Sequence, residues 1–210
     1  MSPPSGYLLL GNRDFDLDYR RIDAAASRNP GGPEAILRQR IVREMVDLAS
    51  GNSNGHHPLG FESGKGDLRD CVTAYLQSDP QRPADFRLVF REIGAATPGE
   101  LPRRELLAVR ARYGVNSVYA HVCGRLGRRL GDRQPGLDRF GDRAPGDGGS
   151  EAARRAELEA KRAIAHAWAG QRPLASSRPL GQARPPSLSQ ASGARRPGRV
   201  VGTGWPERVN

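Results

Sequence analysis

Hydrophobic positions recur with a helical period through the first fifty residues of this chain. Two stripes have the spacing of one helical face: Phe15, Tyr19, Ile22 and Ala26, then Leu37, Ile41, Met45 and Leu48. Asp14 or Asp16 would cap the first helix, residues 29–32 form a Gly/Pro turn, and Pro33 suits the start of the second helix. The pattern predicts a helical hairpin, preceded by a short strand at residues 7–10.

From residue 67 the period changes to two, which is typical of half-buried strands. Val72, Ala74 and Leu76 alternate with Cys71, Thr73 and Tyr75, and Phe86, Leu88 and Phe90 alternate with Arg87 and Arg91. Residues 86–93 and 105–112 predict two further strands, and residues 116–128 a closing helix. We therefore predict an α+β domain over residues 7–128, in which the hairpin packs on an antiparallel sheet that a short C-terminal helix completes.

The character of the chain changes after residue 128. Residues 129–150 form a Gly/Pro-rich linker with an apolar island at Leu137 and Phe140. Residues 151–170 predict an Ala- and charge-rich helix with a narrow stripe of Ala160, Ile164 and Trp168. Residues 171–210 have the Pro/Ser/Gly/Arg composition of a disordered basic tail. The expected extension is thus partly helical and largely disordered.

Composition narrows the class of protein and its partners. The 210 residues are 37% hydrophobic, which is too polar for one core throughout, and the formal net charge of +10 favours an anionic partner. That charge is carried almost entirely by arginine, which high-GC coding would also produce. Residues 1–10 lack a signal-peptide pattern and no long apolar run follows, so we expect a cytoplasmic protein without a membrane span.

The cysteines and histidines indicate no metal chemistry. Cys71 and Cys123 lie among apolar neighbours, where buried reduced thiols are expected. His56 and His57 form an isolated pair in a predicted loop, without a partner at zinc-site spacing. We therefore expect neither a metal nor another cofactor.

Four short pieces in fixed order carry a family resemblance. They are Asp70-Cys71, Phe86-Arg87-Leu88-Val89-Phe90, Val109 to Arg112, and the helix with Val118-Tyr119. Their order and spacing resemble the RelE/ParE superfamily of bacterial type II toxins over about residues 7–128. The resemblance implies, for the RelE branch, a metal-independent endoribonuclease that cleaves ribosome-bound mRNA. It also implies a cognate antitoxin, encoded by a neighbouring gene, whose acidic segment covers the basic face.

The same resemblance implies a catalytic set. Arg87 and Arg112 stand at the positions of the phosphate-contacting arginines, and Tyr119 at that of the tyrosine used for proton transfer or stacking. Metal-free RNA cleavage needs a base, an acid, and cations for the phosphoryl oxygens, and the planar guanidinium fork suits the last task. The polar strand faces add four candidates for RNA or phosphate binding: Arg110, Tyr75, Thr73 and Arg91.

One departure from the family pattern keeps other functions open. Where the RelE branch carries strand lysines, this chain has Thr73 and Tyr75. A first alternative is therefore a non-nuclease toxin resembling the ParE branch, which inhibits DNA gyrase by protein contact. A second is a catalytically silent basic binding domain, in which Arg87 and Arg112 are solvated and Tyr119 is a packing residue.

Overall fold

The computed structural model describes residues 6–61, 66–113, 118–140, 151–167 and 171–180, without the side chains of 151–154. In chain order the elements are β1 (Leu8–Gly11), α1 (Arg13–Arg28), α2 (Pro33–Ser50), β2 (His57–Pro58), β3 (Cys71–Leu76), β4 (Phe86–Gly94), β5 (Arg103–Ala111), α3 (Val118–Arg125), a 3-10 turn (Asp138–Phe140), α4 (Glu151–Ala167) and β6 (Arg178–Pro179). Predicted residues 116 and 117 of the closing helix lie outside the described ranges.

The strands form one mixed sheet in the order β2-β3-β4-β5-β1-β6. The predicted α+β class is confirmed, but the expectation of an antiparallel sheet is wrong for one pair, because β1 runs parallel to β5. A parallel neighbour requires a long crossover, which the helical hairpin and the strands after it supply. All other pairings in this sheet are antiparallel.

The helical hairpin forms where the pattern placed it. Its first helix is capped by Asn12, whose Oδ1 accepts the backbone N–H of Phe15 at 2.6 Å. The predicted caps, Asp14 and Asp16, lie instead in the first turn, where negative charge complements the positive helix end. The second helix begins at Pro33 and stops at Gly51, which has a φ of +80°. None of the described helices is long and apolar enough to cross a lipid bilayer.

The sheet is covered on both faces. On one face, the predicted strand residues Val72, Ala74 and Leu76 pack against the hairpin. On the other, Cys71 and Val89 pack against α3. A bulge in β5 breaks strict alternation, so Leu107 and its neighbour Ala108 both belong to the α3 side. Strict alternation counted from the start of β5 therefore gives the wrong face for the residues that follow the bulge.

Residues 151–167 and 171–180, the described parts of the chain beyond residue 150, pack on this fold. Helix α4 contacts β4, and Lys161 donates from Nζ to the carbonyl oxygen of Leu59 at 2.9 Å. Residues 171–180, predicted as disordered, contain β6, and the N–H of Leu180 donates to the carbonyl of Leu9 at 2.8 Å. In the predicted linker, Phe140 is buried. Trp168 and residues 141–150 and 181–210 lie outside the described ranges.

A fully buried guanidinium joins the end of α2 to the sheet. Arg104 of β5 donates to the carbonyls of Leu48 at 2.8 Å and Ser53 at 2.7 Å, and its other donors meet Glu92 at 2.7 Å. The guanidinium also lies 3.6 Å from the centre of the Tyr7 ring. Arg104 therefore supplies partners that the last carbonyls of the helix would otherwise lack.

Replacing Arg104 with Met should lower the free energy of unfolding by about 3–5 kcal/mol, because the largely buried carboxylate of Glu92 loses its nearest cation and the carbonyls of Leu48 and Ser53 lose their donor. Urea unfolding followed by circular dichroism measures the change. Arg162→Ala is the matched control: Arg162 also contacts Glu92, at 3.4 Å, but its side chain is partly exposed, so a loss below about 1 kcal/mol is expected. Equal losses for the two variants would contradict the assigned role of Arg104.

A second buried cluster holds the segment before β3. Asp70 binds Arg128 at 2.6 Å and lies 3.7 Å from Arg91, while Arg69 is enclosed by Asp67 at 2.7 Å and Asp138 at 3.1 Å. Burial on its own would raise the pKa of Asp70, but the hydrogen bonds and charge of Arg128 outweigh it, so the pKa is lowered. The ionised carboxylate is thus part of the stable fold.

A lowered folded-state pKa gives stability that is present above the unfolded pKa, about 4, and is lost as pH falls through the folded value. Asp70→Asn should therefore lower the free energy of unfolding at pH 7 by about 3 kcal/mol. Below about pH 4, the free energy of unfolding of this variant should fall less steeply than that of the wild type. Urea unfolding across this range measures both effects. The exposed Asp132 offers a control, and Asp132→Asn should follow the wild-type curve. If the free energy of unfolding of Asp70→Asn falls below about pH 4 as steeply as that of the wild type, ionisation of Asp70 does not account for the acid dependence.

Candidate functional site

The three predicted catalytic residues, Arg87, Arg112 and Tyr119, lie near the ring of Tyr75. Arg87 donates from Nη1 to the hydroxyl oxygen of Tyr119, and its guanidinium carbon lies 5.3 Å from the Tyr119 ring centre. The same carbon lies 5.4 Å from the Tyr75 ring centre, and that of Arg112 also lies 5.4 Å from it. We call Tyr75, Arg87, Arg112 and Tyr119 the Arg–Tyr cluster.

The sheet and α3 explain this convergence. Tyr75 and Arg87 are directly opposite in the β3–β4 register, on the face that α3 covers. Val118 and Val122 anchor α3 in the core on that face, so Tyr119 at the start of the helix is directed to the edge of the packed region. The backbone N–H of Arg112 donates to the carbonyl of Asp85 at 2.6 Å, which fixes the residue beyond the end of β5.

The cations of the Arg–Tyr cluster retain donors for a ligand. Within the described residues, neither Arg87 nor Arg112 forms an ion pair with a carboxylate. The Nε of Arg87 is buried and has no hydrogen-bond partner among them. A phosphate could therefore approach Arg87 and Arg112 without first breaking an internal ion pair within the described residues.

Three other candidates are engaged elsewhere. Arg110 pairs with Asp18 of α1 at 2.8 Å, and Arg91 pairs with Glu105 at 2.7 Å. Thr73 is fully buried, with its Oγ1 enclosed by the protein. The structure therefore does not present these three side chains for RNA or phosphate contact. Strand alternation identified a polar face but not the acidic neighbours on it, nor the depth at which Thr73 lies.

Two histidines that the sequence placed in a loop lie at this site. His57 pairs with Thr73 in register, which puts its side chain on the same face as Tyr75, and the ring centres of His57 and Tyr75 are 6.4 Å apart. His56 accepts the Tyr75 backbone N–H at Nδ1, at 3.2 Å. Strand β2 has two residues, too few to show a period, so no local signal could have placed this pair.

A groove lies beside Tyr113, the residue that follows Arg112. The Arg112 guanidinium lies 5.3 Å from the ring of Tyr113, which is 69% exposed and lines this groove of about 650 Å³. The groove is also lined by Ile36 at the start of α2 and by Arg82 in the β3–β4 connection. Tyr113 connects it to the cluster through its contact with Arg112, while the four cluster residues themselves do not line it.

The described ranges bring together no group of three or more histidine, cysteine, aspartate or glutamate side chains able to hold a metal ion. Comparisons with protein-family models, with curated proteins and with solved structures gave no match. The RelE/ParE resemblance is therefore carried by the sequence motifs.

The different environments of the arginines lead to a stability prediction. Arg91→Ala should lower the free energy of unfolding by about 2–3 kcal/mol, since it removes charged hydrogen bonds from the buried Glu105. Arg112→Ala should change it by less than about 0.5 kcal/mol, because Arg112 is exposed. Urea unfolding of the two variants provides the comparison. A larger loss in Arg112→Ala would show that this arginine stabilises the fold and would weaken its place in a ligand site.

Proposed function

We propose that this chain is the toxin of a type II toxin–antitoxin system and that it cleaves ribosome-bound mRNA without a metal ion. The single observation that supports this most is the Arg–Tyr cluster, in which Arg87 bonds to Tyr119 and lacks a carboxylate partner among the described residues. Arg87, Arg112 and Tyr119 are the residue types that the RelE resemblance implies at these positions.

The geometry suits the demands of the reaction. Attack by the 2′-oxygen concentrates negative charge on the phosphoryl oxygens, and Arg87 and Arg112 would stabilise that charge. The hydroxyl of Tyr119 accepts a hydrogen bond from the Arg87 guanidinium, and in its phenolate form this oxygen would receive the 2′-hydroxyl proton. The rings of Tyr75 and Tyr113 would stack on bases next to the cleaved bond.

The proposed partner is an antitoxin whose acidic segment covers the Arg–Tyr cluster. Arg112 is exposed, and Arg87 is half-buried beside it, so carboxylates of a bound segment could reach both guanidiniums. Such a segment would block phosphate binding by occupying the same donors. Co-expression with each neighbouring gene product, followed by purification at low salt, tests for this complex, because screening is weakest there.

A non-nuclease toxin is the competing function, and one observation favours it. Thr73 stands at one of the positions where the RelE branch carries a lysine, and it is fully buried. The strand therefore supplies no ammonium group for the reaction at that position. A toxin of this kind, resembling the ParE branch, would inhibit DNA gyrase through protein contacts and leave mRNA intact.

Induced expression in a bacterial host, with genome-wide mapping of mRNA 5′ ends, distinguishes the two functions. We expect growth arrest and new 5′ ends within translated regions. Arg87→Ala should slow cleavage about 100-fold or more, since it removes a donor to the developing phosphoryl charge. Tyr119→Phe should slow it similarly if its oxygen transfers a proton, because the substitution keeps the ring and removes the hydroxyl.

Arg40→Ala is the matched control. Arg40 is exposed on α2, so its loss removes the same charge from the protein without altering the cluster. Arrest with intact mRNA, together with gyrase inhibition by the purified protein, would replace the nuclease proposal with the ParE-like one. Arrest and cleavage that persist in folded Arg87→Ala and Tyr119→Phe proteins would exclude the Arg–Tyr cluster as the active site.

A further inference from the structure

RNA cleavage of the proposed kind requires two proton transfers. One group takes the proton of the attacking 2′-hydroxyl, and a second gives a proton to the departing 5′-oxygen. The Arg–Tyr cluster assigns the first task to Tyr119, whose oxygen is bonded to Arg87. A phenol with an ordinary pKa near 10 is a weak acid for the second task, whereas an imidazolium, with an ordinary pKa near 6.5, is a stronger one.

His57 lies on the strand that flanks Tyr75 on one side, and Arg87, the hydrogen-bond partner of Tyr119, lies on the strand that flanks it on the other. The edge strand β2 pairs His57 with Thr73, and β4 places Arg87 across from Tyr75. The His57 and Tyr75 rings are inclined by 26° with centres 6.4 Å apart, while the Arg87 guanidinium is 5.4 Å from the same Tyr75 ring. A phosphate bound by Arg87 over Tyr75 would thus have Tyr119 on one side and His57 on the other.

The neighbouring histidine is bound differently. His56 accepts the backbone N–H of Tyr75 at Nδ1, at 3.2 Å. This bond ties the His56 ring to the backbone of β3. His56 therefore positions Tyr75, and we assign it no proton transfer to the leaving group.

Resting on the proposed function, we propose that His57 is the general acid of the reaction. In the proposed step Tyr119 acts as its phenolate, with Arg87 as counter-charge: it takes the proton of the 2′-hydroxyl and becomes a neutral phenol as the 2′-oxygen bonds to phosphorus. The bond from phosphorus to the 5′-oxygen breaks, and that oxygen takes a proton from the His57 imidazolium. The products are a 2′,3′-cyclic phosphate and a 5′-hydroxyl, and proton exchange with water restores both side chains.

A leaving group that needs no acid tests this assignment. The full-length protein is assayed on ribosomes programmed with an mRNA that carries either the natural 5′-oxygen or a 5′-bridging sulfur at the mapped cleavage site. Since a thiolate departs without protonation, His57→Ala should slow the oxygen substrate about 100-fold or more and leave the sulfur substrate nearly unaffected. The sulfur-to-oxygen rate ratio should therefore rise by the same factor. His57→Asn, which retains a polar side chain, should give the same result.

Two controls separate acid catalysis from packing. Tyr75→Phe keeps the ring beside His57 and removes a hydroxyl, while His56→Ala removes the neighbouring imidazole. Both variants should keep the wild-type sulfur-to-oxygen ratio even where their rates fall. The ratio does not depend on the folded fraction of each preparation, because both substrates are cleaved by the same molecules.

The outcomes are distinct. An unchanged ratio in both His57 variants would overturn the acid assignment and leave the nuclease proposal standing. A raised ratio in Tyr75→Phe, with none in His57→Ala, would move the acid to Tyr75 and overturn the assignment to His57. A wild-type protein that cleaves neither mRNA would remove the nuclease proposal, and this inference with it.

Discussion

Two guanidiniums without any solvent contact organise this protein. Arg104 and Arg69 are fully buried, and moving a cation out of water costs several kcal/mol unless its donors are satisfied. Arg104 meets Glu92, one carbonyl of α2 and one loop carbonyl, and Arg69 meets Asp67 and Asp138. Arg104 joins the end of α2 and the loop after it to β4 and β5, and Arg69 joins the segment before β3 to the 3-10 turn at Asp138.

This use of arginine for structure changes how the net charge is interpreted. Arg91, Arg110, Arg125 and Arg128 each have a carboxylate neighbour within the described residues, which leaves their fields largely neutralised. A ligand would therefore encounter the few guanidiniums that lack such neighbours rather than the total of +10. The proposed site depends on local charge at the Arg–Tyr cluster, and total composition gave no way to separate the two kinds of arginine.

The sequence predicted what is governed by local periodicity. The stripes of α1 and α2 and the alternation in β3 and β4 gave the correct elements, because each is long enough to repeat its period several times. Local periodicity does not determine which distant strands pair with each other. The parallel β1–β5 contact, the short β2 and the return of β6 depend on partners up to 170 residues away.

The same limit explains the candidate site. Arg87, Arg112, Tyr119 and Tyr75 lie together as the motif order suggested. Thr73, Arg91 and Arg110 do not, because burial and acidic neighbours depend on tertiary packing. His57 was missed since its placement depends on pairing with β3 rather than on its own neighbours in the chain.

The position of β1 between β5 and β6 has a consequence for synthesis on the ribosome. Residues 8–11 are made early, yet their partners are residues 103–106 and 178–179. At ordinary elongation rates the nascent chain would carry β1 with one open edge for several seconds after β5 emerges, and would close it when β6 arrives. Contacts of such high sequence separation slow folding. Until β6 is made, an unpaired strand edge would be open to association with other chains.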